Sequence, residues 1–182
     1  MNRVNQNLGQ LTFRCPTAND GYAVNQLIAA CPPLDTNSVY CNLLQCTHFS
    51  ETCVVAELDG EMVGWMSAYI NPQKSNTIFI WQMAVSEKVR GQSLAYKMLN
   101  HLLSRVVCSE VTHVETTITK DNQASRSVFR KLASQLNTGC AESSYFVRDI
   151  HLGGKHADEY LFKIGPISSN AKRMIKIKEE NL

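Results

Sequence analysis

The sequence predicts an α/β (α+β) chain: a single domain with a mixed, largely antiparallel central sheet flanked by helices. Three observations carry this. Residues 52–58 and 62–70 read as strands on either side of Asp59-Gly60, a pair that favours a tight hairpin turn. Residues 77–85 are almost continuously apolar, which predicts a central strand buried on both faces. Amphipathic helical periods at 93–104 and 122–136 then alternate with a strand at 111–119, a pattern that lays helices on a sheet.

The remaining elements follow in order. Residues 11–14 form a short β-like run. Asn19 or Asp20 caps a helix to about Ala30, with Val24, Leu27 and Ile28 on one face. Cys31-Pro32-Pro33-Leu34 ends it, because proline cannot continue the helical hydrogen bonds. Asn37 or Ser38 caps a second helix to about Phe49. In the helix from Ser93, Leu94, Met98, Leu99 and Leu102 face inward. Segments 145–150 and 160–164 close the sheet. The domain spans 11–167, and residues 168–182 are a polar C-terminal tail, read as frayed, with a short partner-binding helix as the alternative.

A chain of 182 residues suits one domain. Hydrophobic residues at 44% supply a core, and 19% charged residues argue against disorder. The net charge of +2 lacks the basic stripe of a nucleic-acid binder and the strong acidity suited to a very salty cytoplasm. The opening MNRVNQNLGQLTFR has no run for a signal peptide, and no later stretch can span a bilayer, so cytoplasmic residence without membrane contact is expected. Seven cysteines between Cys15 and Cys140 lack CxxC pairs, so they read as free thiols, with zinc or disulfides the weaker alternative. The five histidines form no ligand cluster, so no metal is expected.

The chemistry concentrates in a strand–loop–helix segment. Trp81-Gln82-Met83-Ala84-Val85 leads through residues 86–89 into Arg90-Gly91-Gln92-Ser93-Leu94-Ala95. The free amides and positive dipole end of such a helix start suit a pyrophosphate, although a plain helix start has the same features. The segment lacks the Gly-Lys-Ser/Thr of a nucleotide P-loop. On the strand at 111–119, Glu115, Thr117 and Thr119 share a polar face that suggests a cleft wall. Glu115 can instead pair with an arginine on a neighbouring helix. Trp81 and Gln82 fall on opposite faces of their strand, and a glutamine there is costly unless paired.

Arg90 to Ala95 resembles the acetyl-CoA loop of the GNAT acetyltransferase superfamily, Arg/Gln-x-x-Gly-x-Gly/Ala. Ser93 stands where the middle glycine is usual. Asn122, Ser125 and Phe129 match a second pattern of that superfamily, except that Phe129 replaces a tyrosine that in many relatives protonates the departing thiolate. Cys31-Pro32-Pro33-Leu34-Asp35-Thr36-Asn37-Ser38, Phe79-Ile80-Trp81-Gln82, Glu115-Thr116-Thr117-Ile118-Thr119 and Ile164-Gly165-Pro166 look like the diaminobutyrate acetyltransferases of ectoine biosynthesis.

The resemblance implies transfer of acetyl from acetyl-CoA to the γ-amine of L-2,4-diaminobutyrate, giving a precursor of the osmoprotectant ectoine. It implies an acetyl-CoA site at Met83, Ala84, Val85, Arg90, Gly91, Gln92, Ser93, Leu94, Ala95, Asn122, Ser125 and Phe129. It implies a diamino acid site at Asp35, Asn37, Tyr40, Trp81, Gln82, Thr117, His156 and Glu159, and a homodimer. The alternatives are a helix cap for Asp35, core packing for Tyr40, and a solvated loop for His156 and Glu159. The attacking amine titrates near about 10.4 and must lose a proton, with Glu115, His156 and Glu159 as candidate bases. Backbone amides near Val85 are the expected oxyanion donors. Another small-amine acetyltransferase, or a non-catalytic acyl-CoA sensor marked by Ser93 and Phe129, are the rival readings.

Overall fold

In a computed structural model of the chain, residues 9–179 are described, with side chains through Ile175. The reading of the first eight residues as leaderless lies outside them. Seven strands form one sheet in the order β1-β2-β3-β4-β5-β7-β6: β1 (Leu11–Arg14), β2 (Val54–Leu58), β3 (Glu61–Ile70), β4 (Thr77–Val85), β5 (His113–Thr119), β6 (Cys140–Phe146) and β7 (Glu159–Ile164). Every pairing is antiparallel except β4 with β5.

Strand alternation divides the core. Val54 and Ala56 point into a large cluster with Leu94, Met98, Leu99 and Leu102 of α3 (Leu94–Ser104) and with Phe129 and Leu132 of α4 (Gln123–Gln135). Val55, with Trp65 and Ala84, points instead into a smaller cluster with Val24 and Ile28 of α1 (Gly21–Ala29) and Cys46 of α2 (Val39–His48). Ser38 caps α2, its hydroxyl accepting from the Cys41 amide at 3.1 Å. Ahead of α1, Asp20 closes a 3₁₀ turn and its carboxylate takes Arg14 in a two-pronged ion pair, both contacts 2.8 Å.

Four expectations change. β4 is not buried on both faces throughout: Trp81 is 47% exposed, because β5 leaves β4 beyond Ile80. The strand expected at 145–150 is β6, ending at Phe146, followed by the short α5 (Arg148–His151). The strand expected at 111–119 is β5, which begins at His113 and not at Val111. The expected frayed tail is, within the described residues, α6 (Ser169–Glu179), packed against α3. Ile175 is buried there, and the Lys172 ammonium donates to the carbonyls of Cys108 and Ser109. Residues 180–182 lie outside the described residues. All seven cysteines are free thiols.

Candidate active site

The cleft originates in the only parallel pairing of the sheet. β4 and β5 pair from Thr77 with His113 to Ile80 with Thr116 and then part. The Thr116 hydroxyl donates to the Ile80 carbonyl at 3.0 Å and closes the end of the paired stretch. β4 also carries a bulge at this point: Ser67 faces Gln82 and Ala68 faces Ile80, so Trp81 is the extra residue. The bulge corrects the opposite-faces expectation. Trp81 packs edge-on against Tyr69, while Gln82 lies across from Ser67, and those two β3 residues share a face.

The strand's free edge follows from the same register. The Ser86 amide donates to the Val63 carbonyl at 2.9 Å, so alternation turns the peptide groups of Val85 and Met83 towards the edge that β5 vacates. The Val85 carbonyl accordingly accepts from the Cys31 thiol and from Arg90 Nε, each at 3.4 Å. The Val85 amide shares that direction, as an oxyanion donor needs.

Two cavities adjoin the fork and share Pro33, Leu34, Met83, Asn122, Ala124 and Ser125 as walls. The first, of about 530 Å³, takes in Val85, Arg90, Gly91, Ser93, Leu94 and Ala95. Here the chain turns into α3 with Gly91 at φ 81° and Ser93 at φ 60°. That left-handed geometry explains why glycine is usual at position 93, and serine keeps it. Serine at this position thus keeps the backbone turn of the loop. Asn122 caps α4, its side chain accepting from the Ser125 amide at 3.0 Å. The cavity holds cations from both sides, Arg90 and Lys131, which suits a polyphosphate chain.

Lys131 escaped the sequence reading. Its ammonium lies 3.3 Å from the Ser93 hydroxyl and over the Tyr96 ring. It follows Ala124 and Val128 at helical spacing, so the signal was a lone cation at the end of a small-residue stripe.

The second cavity, of about 700 Å³, holds Asp35, Asn37, Trp81, Gln82, Thr117 and Glu159, with Phe129 at its base. Burial is the main cause that raises the Glu159 carboxyl above its ordinary value. The Thr117 hydroxyl and nearby His156 pull it back down, and Asp35 adds to the rise. His156 sits at the rim with Nδ1 3.7 Å from the Asp35 carboxylate.

Several expected residues are not brought together. Glu115 is 4% exposed, lies below the fork, and faces Lys74 at 3.6 Å; it lines neither cavity. The arginine partner considered for it is likewise replaced by this lysine. Tyr40 is 69% exposed and outside both cavities, neither core nor lining. Ala84 is buried beneath α1, and Gln92 does not line the loop's cavity. Phe129 lines the second cavity and not the first. Burial pushes the thiols of Cys46 and Cys108 up to about 11 and that of Cys53 to about 12, which makes them packing groups and not nucleophiles.

A forked sheet with a phosphate-type loop at one strand end and carboxylates at the other is the architecture of an acetyl-CoA-dependent N-acetyltransferase. The chain belongs to the acetyltransferase (GNAT) family, whose model matches residues 22–133. More narrowly, it belongs with the L-2,4-diaminobutyric acid acetyltransferases. It is 46% identical to the protein of that name from Methylotuvimicrobium alcaliphilum over 159 residues, covering 87% of this chain and 92% of that one. To the Vibrio cholerae protein of the same name it is 47% identical over 158 residues, 87% of this chain and 91% of the relative. The solved diaminobutyrate acetyltransferase EctA from Paenibacillus lautus, in complex with its substrate L-2,4-diaminobutyric acid and coenzyme A, superposes with TM-score 0.85 at 36% identity, covering 88% of this chain and 98% of that one.

Proposed function

We infer that this chain transfers the acetyl group of acetyl-CoA to the γ-amine of L-2,4-diaminobutyrate, giving γ-N-acetyl-diaminobutyrate for ectoine formation. The observation that carries this reading is the pair of adjoining cavities, one flanked by cations and one by carboxylates, in a chain this similar to the diaminobutyrate enzymes.

In this reading, acetyl-CoA lies in the first cavity, its phosphates at Arg90, Gly91, Ser93 and Lys131. The diamino acid enters the second cavity, where Asp35 and Glu159 supply anions for its two ammonium groups and His156 stands by the rim. Glu159 serves as the base, since it alone of the three candidates lines the cavity and its raised pKa improves its match to an amine proton. The neutral γ-nitrogen attacks the thioester carbon to give a tetrahedral adduct whose oxyanion meets the Val85 amide; its collapse breaks the C–S bond as the acylated nitrogen sheds its second proton. CoA leaves as its thiol. Phe129 has no hydroxyl, so the departing sulfur is balanced by the proton that the acylated nitrogen sheds, carried to it directly or through water.

Cytoplasmic residence and a homodimer complete the proposal. Seven free thiols suit a reducing compartment, and among the described residues no helix is long and apolar enough to cross a membrane. The edge strand β6 is exposed along its whole length and carries Tyr145 and Phe146, which supports a subunit contact.

Thiol release by purified protein with acetyl-CoA and L-2,4-diaminobutyrate, followed by NMR of the product, tests the reading. Acetyl on the γ-nitrogen is expected. Exclusive α-acetylation, or no thiol release, contradicts it.

A further inference from the structure

Between α1 and α2 the core contains an uneconomical set of side chains. Asn42 is 0% exposed and Gln45 1% exposed, positions where leucine would pack without needing partners. Their bonds lead in one direction. The Asn42 amide donates to Gln45 Oε1 at 3.0 Å, and Asn42 Oδ1 accepts from Asn25 of α1 at 3.0 Å. The same Asn25 nitrogen donates to the Asn37 backbone carbonyl at 2.8 Å. Asn37 in turn donates to Gln82 Oε1 at 3.1 Å, and Gln82 Nε2 donates to the Asp35 carbonyl at 2.8 Å. A chain of hydrogen bonds thus runs from the helical core to the bulged end of β4, carboxamide to carboxamide except at the Asn37 backbone carbonyl that joins its two halves.

We propose that this carboxamide relay is a positioning device that fixes the Asp35–Asn37 segment against β4 and so sets where the amine substrate stands relative to the thioester. The segment is gripped from both sides: Asn25 holds the Asn37 carbonyl from α1, and Gln82 holds the Asp35 carbonyl from β4. The Asp35 carboxylate itself stays open, its side chain 84% exposed. Asn37 and Gln82 are therefore positioning residues whose amides are spent on the segment, while Asp35 makes the substrate contact. Because reacting atoms must meet within a few tenths of an ångström, a released segment costs substrate affinity and rate while leaving the cofactor cavity intact.

The proposal rests on the diaminobutyrate reading, so one of its tests needs no substrate. Gln82→Met keeps volume and removes both of its bonds; Asn25→Ala cuts the grip on the other side. In the free protein, hydrogen exchange of the Leu34 amide, which donates to the Cys31 carbonyl at 3.1 Å at the head of this segment, should quicken by about tenfold or more in each variant. In turnover, KM for L-2,4-diaminobutyrate should rise about tenfold while KM for acetyl-CoA stays within about twofold. Exchange at the wild-type rate in both variants, or equal rises in both KM values, overturns the relay. If Asn25→Ala does not fold, Gln82→Met, at a half-open position, decides alone. A wild-type protein that fails to acetylate diaminobutyrate sinks the functional reading, and the exchange rates still decide the relay.

Discussion

Ser93 sits at φ 60° and ψ 23°, where a residue with a Cβ pays about 1–2 kcal/mol that glycine does not. Ser93→Gly should therefore raise thermal stability slightly and keep acetyl-CoA affinity within a few-fold, the lost hydroxyl contact to Lys131 being weak and exposed. Ser93→Leu keeps the strain and crowds the cavity, so calorimetric titration should show acetyl-CoA binding weakened about tenfold or more. Normal binding by the leucine variant contradicts the cradle. Glu159 gives a pH test at the same scale. A base must be ionised to act, so activity should fall as pH drops through a carboxyl pKa raised by burial. Glu159→Gln should lower kcat by about a hundredfold or more and abolish that acid limb in the pH profile of kcat/KM. A limb that persists unchanged assigns the base elsewhere.

Among the elements, the Arg14–Asp20–Glu57 group ties β1 to the start of α1 and to β2. Bonding to Arg14 holds the Asp20 carboxyl down at about 2, against 3.8 when unperturbed, and the Thr17 amide adds to this. A depressed folded pKa means stability that is full above the unfolded value and lost as pH falls from there towards about 2. Asp20→Asn should cost about 1–3 kcal/mol near neutrality, and the gap to wild type in chemical denaturation should close as pH falls through that window. Elements with a periodic apolar face were legible in sequence: the Asp59-Gly60 hairpin, α1 to α4 and the inner half of β4. β6 was misplaced because CAESSYF lies exposed on the sheet edge and carries no alternation. α6 was ranked behind a frayed tail because Ala171 and Ile175, spaced i to i+4, are its only described apolar anchors among charged residues. The candidate cofactor loop was legible because its small residues answer to backbone geometry. Glu115 misled because polar alternation identifies a face of a strand, whereas the fork that opens only beyond Thr116 decides which part of that face meets the cleft.

At the level of the whole molecule, one departure from antiparallel order does most of the work. Parallel pairing lets β4 and β5 run side by side and then diverge, which brings the loop ahead of α3, the cap of α4 and the segment after α1 around one fork. In the proposed reading, such a fork holds the acetyl donor on one side and measures the acceptor from the other. With the α-amino and carboxylate end fixed, the γ-nitrogen of diaminobutyrate is presented at one distance from the thioester carbon. Ornithine's extra methylene carries its nitrogen roughly 1 Å past that point, which can cost on the order of a hundredfold in rate, less whatever chain bending recovers. The decisive measurement is kcat/KM for L-2,4-diaminobutyrate, ornithine, lysine and 1,4-diaminobutane at one saturating acetyl-CoA concentration. The expected result is diaminobutyrate first, ornithine lower by about tenfold to a hundredfold, lysine lower still, and 1,4-diaminobutane essentially inert for want of its carboxylate. Turnover of lysine or 1,4-diaminobutane equal to that of diaminobutyrate would contradict a pocket built to measure this diamino acid.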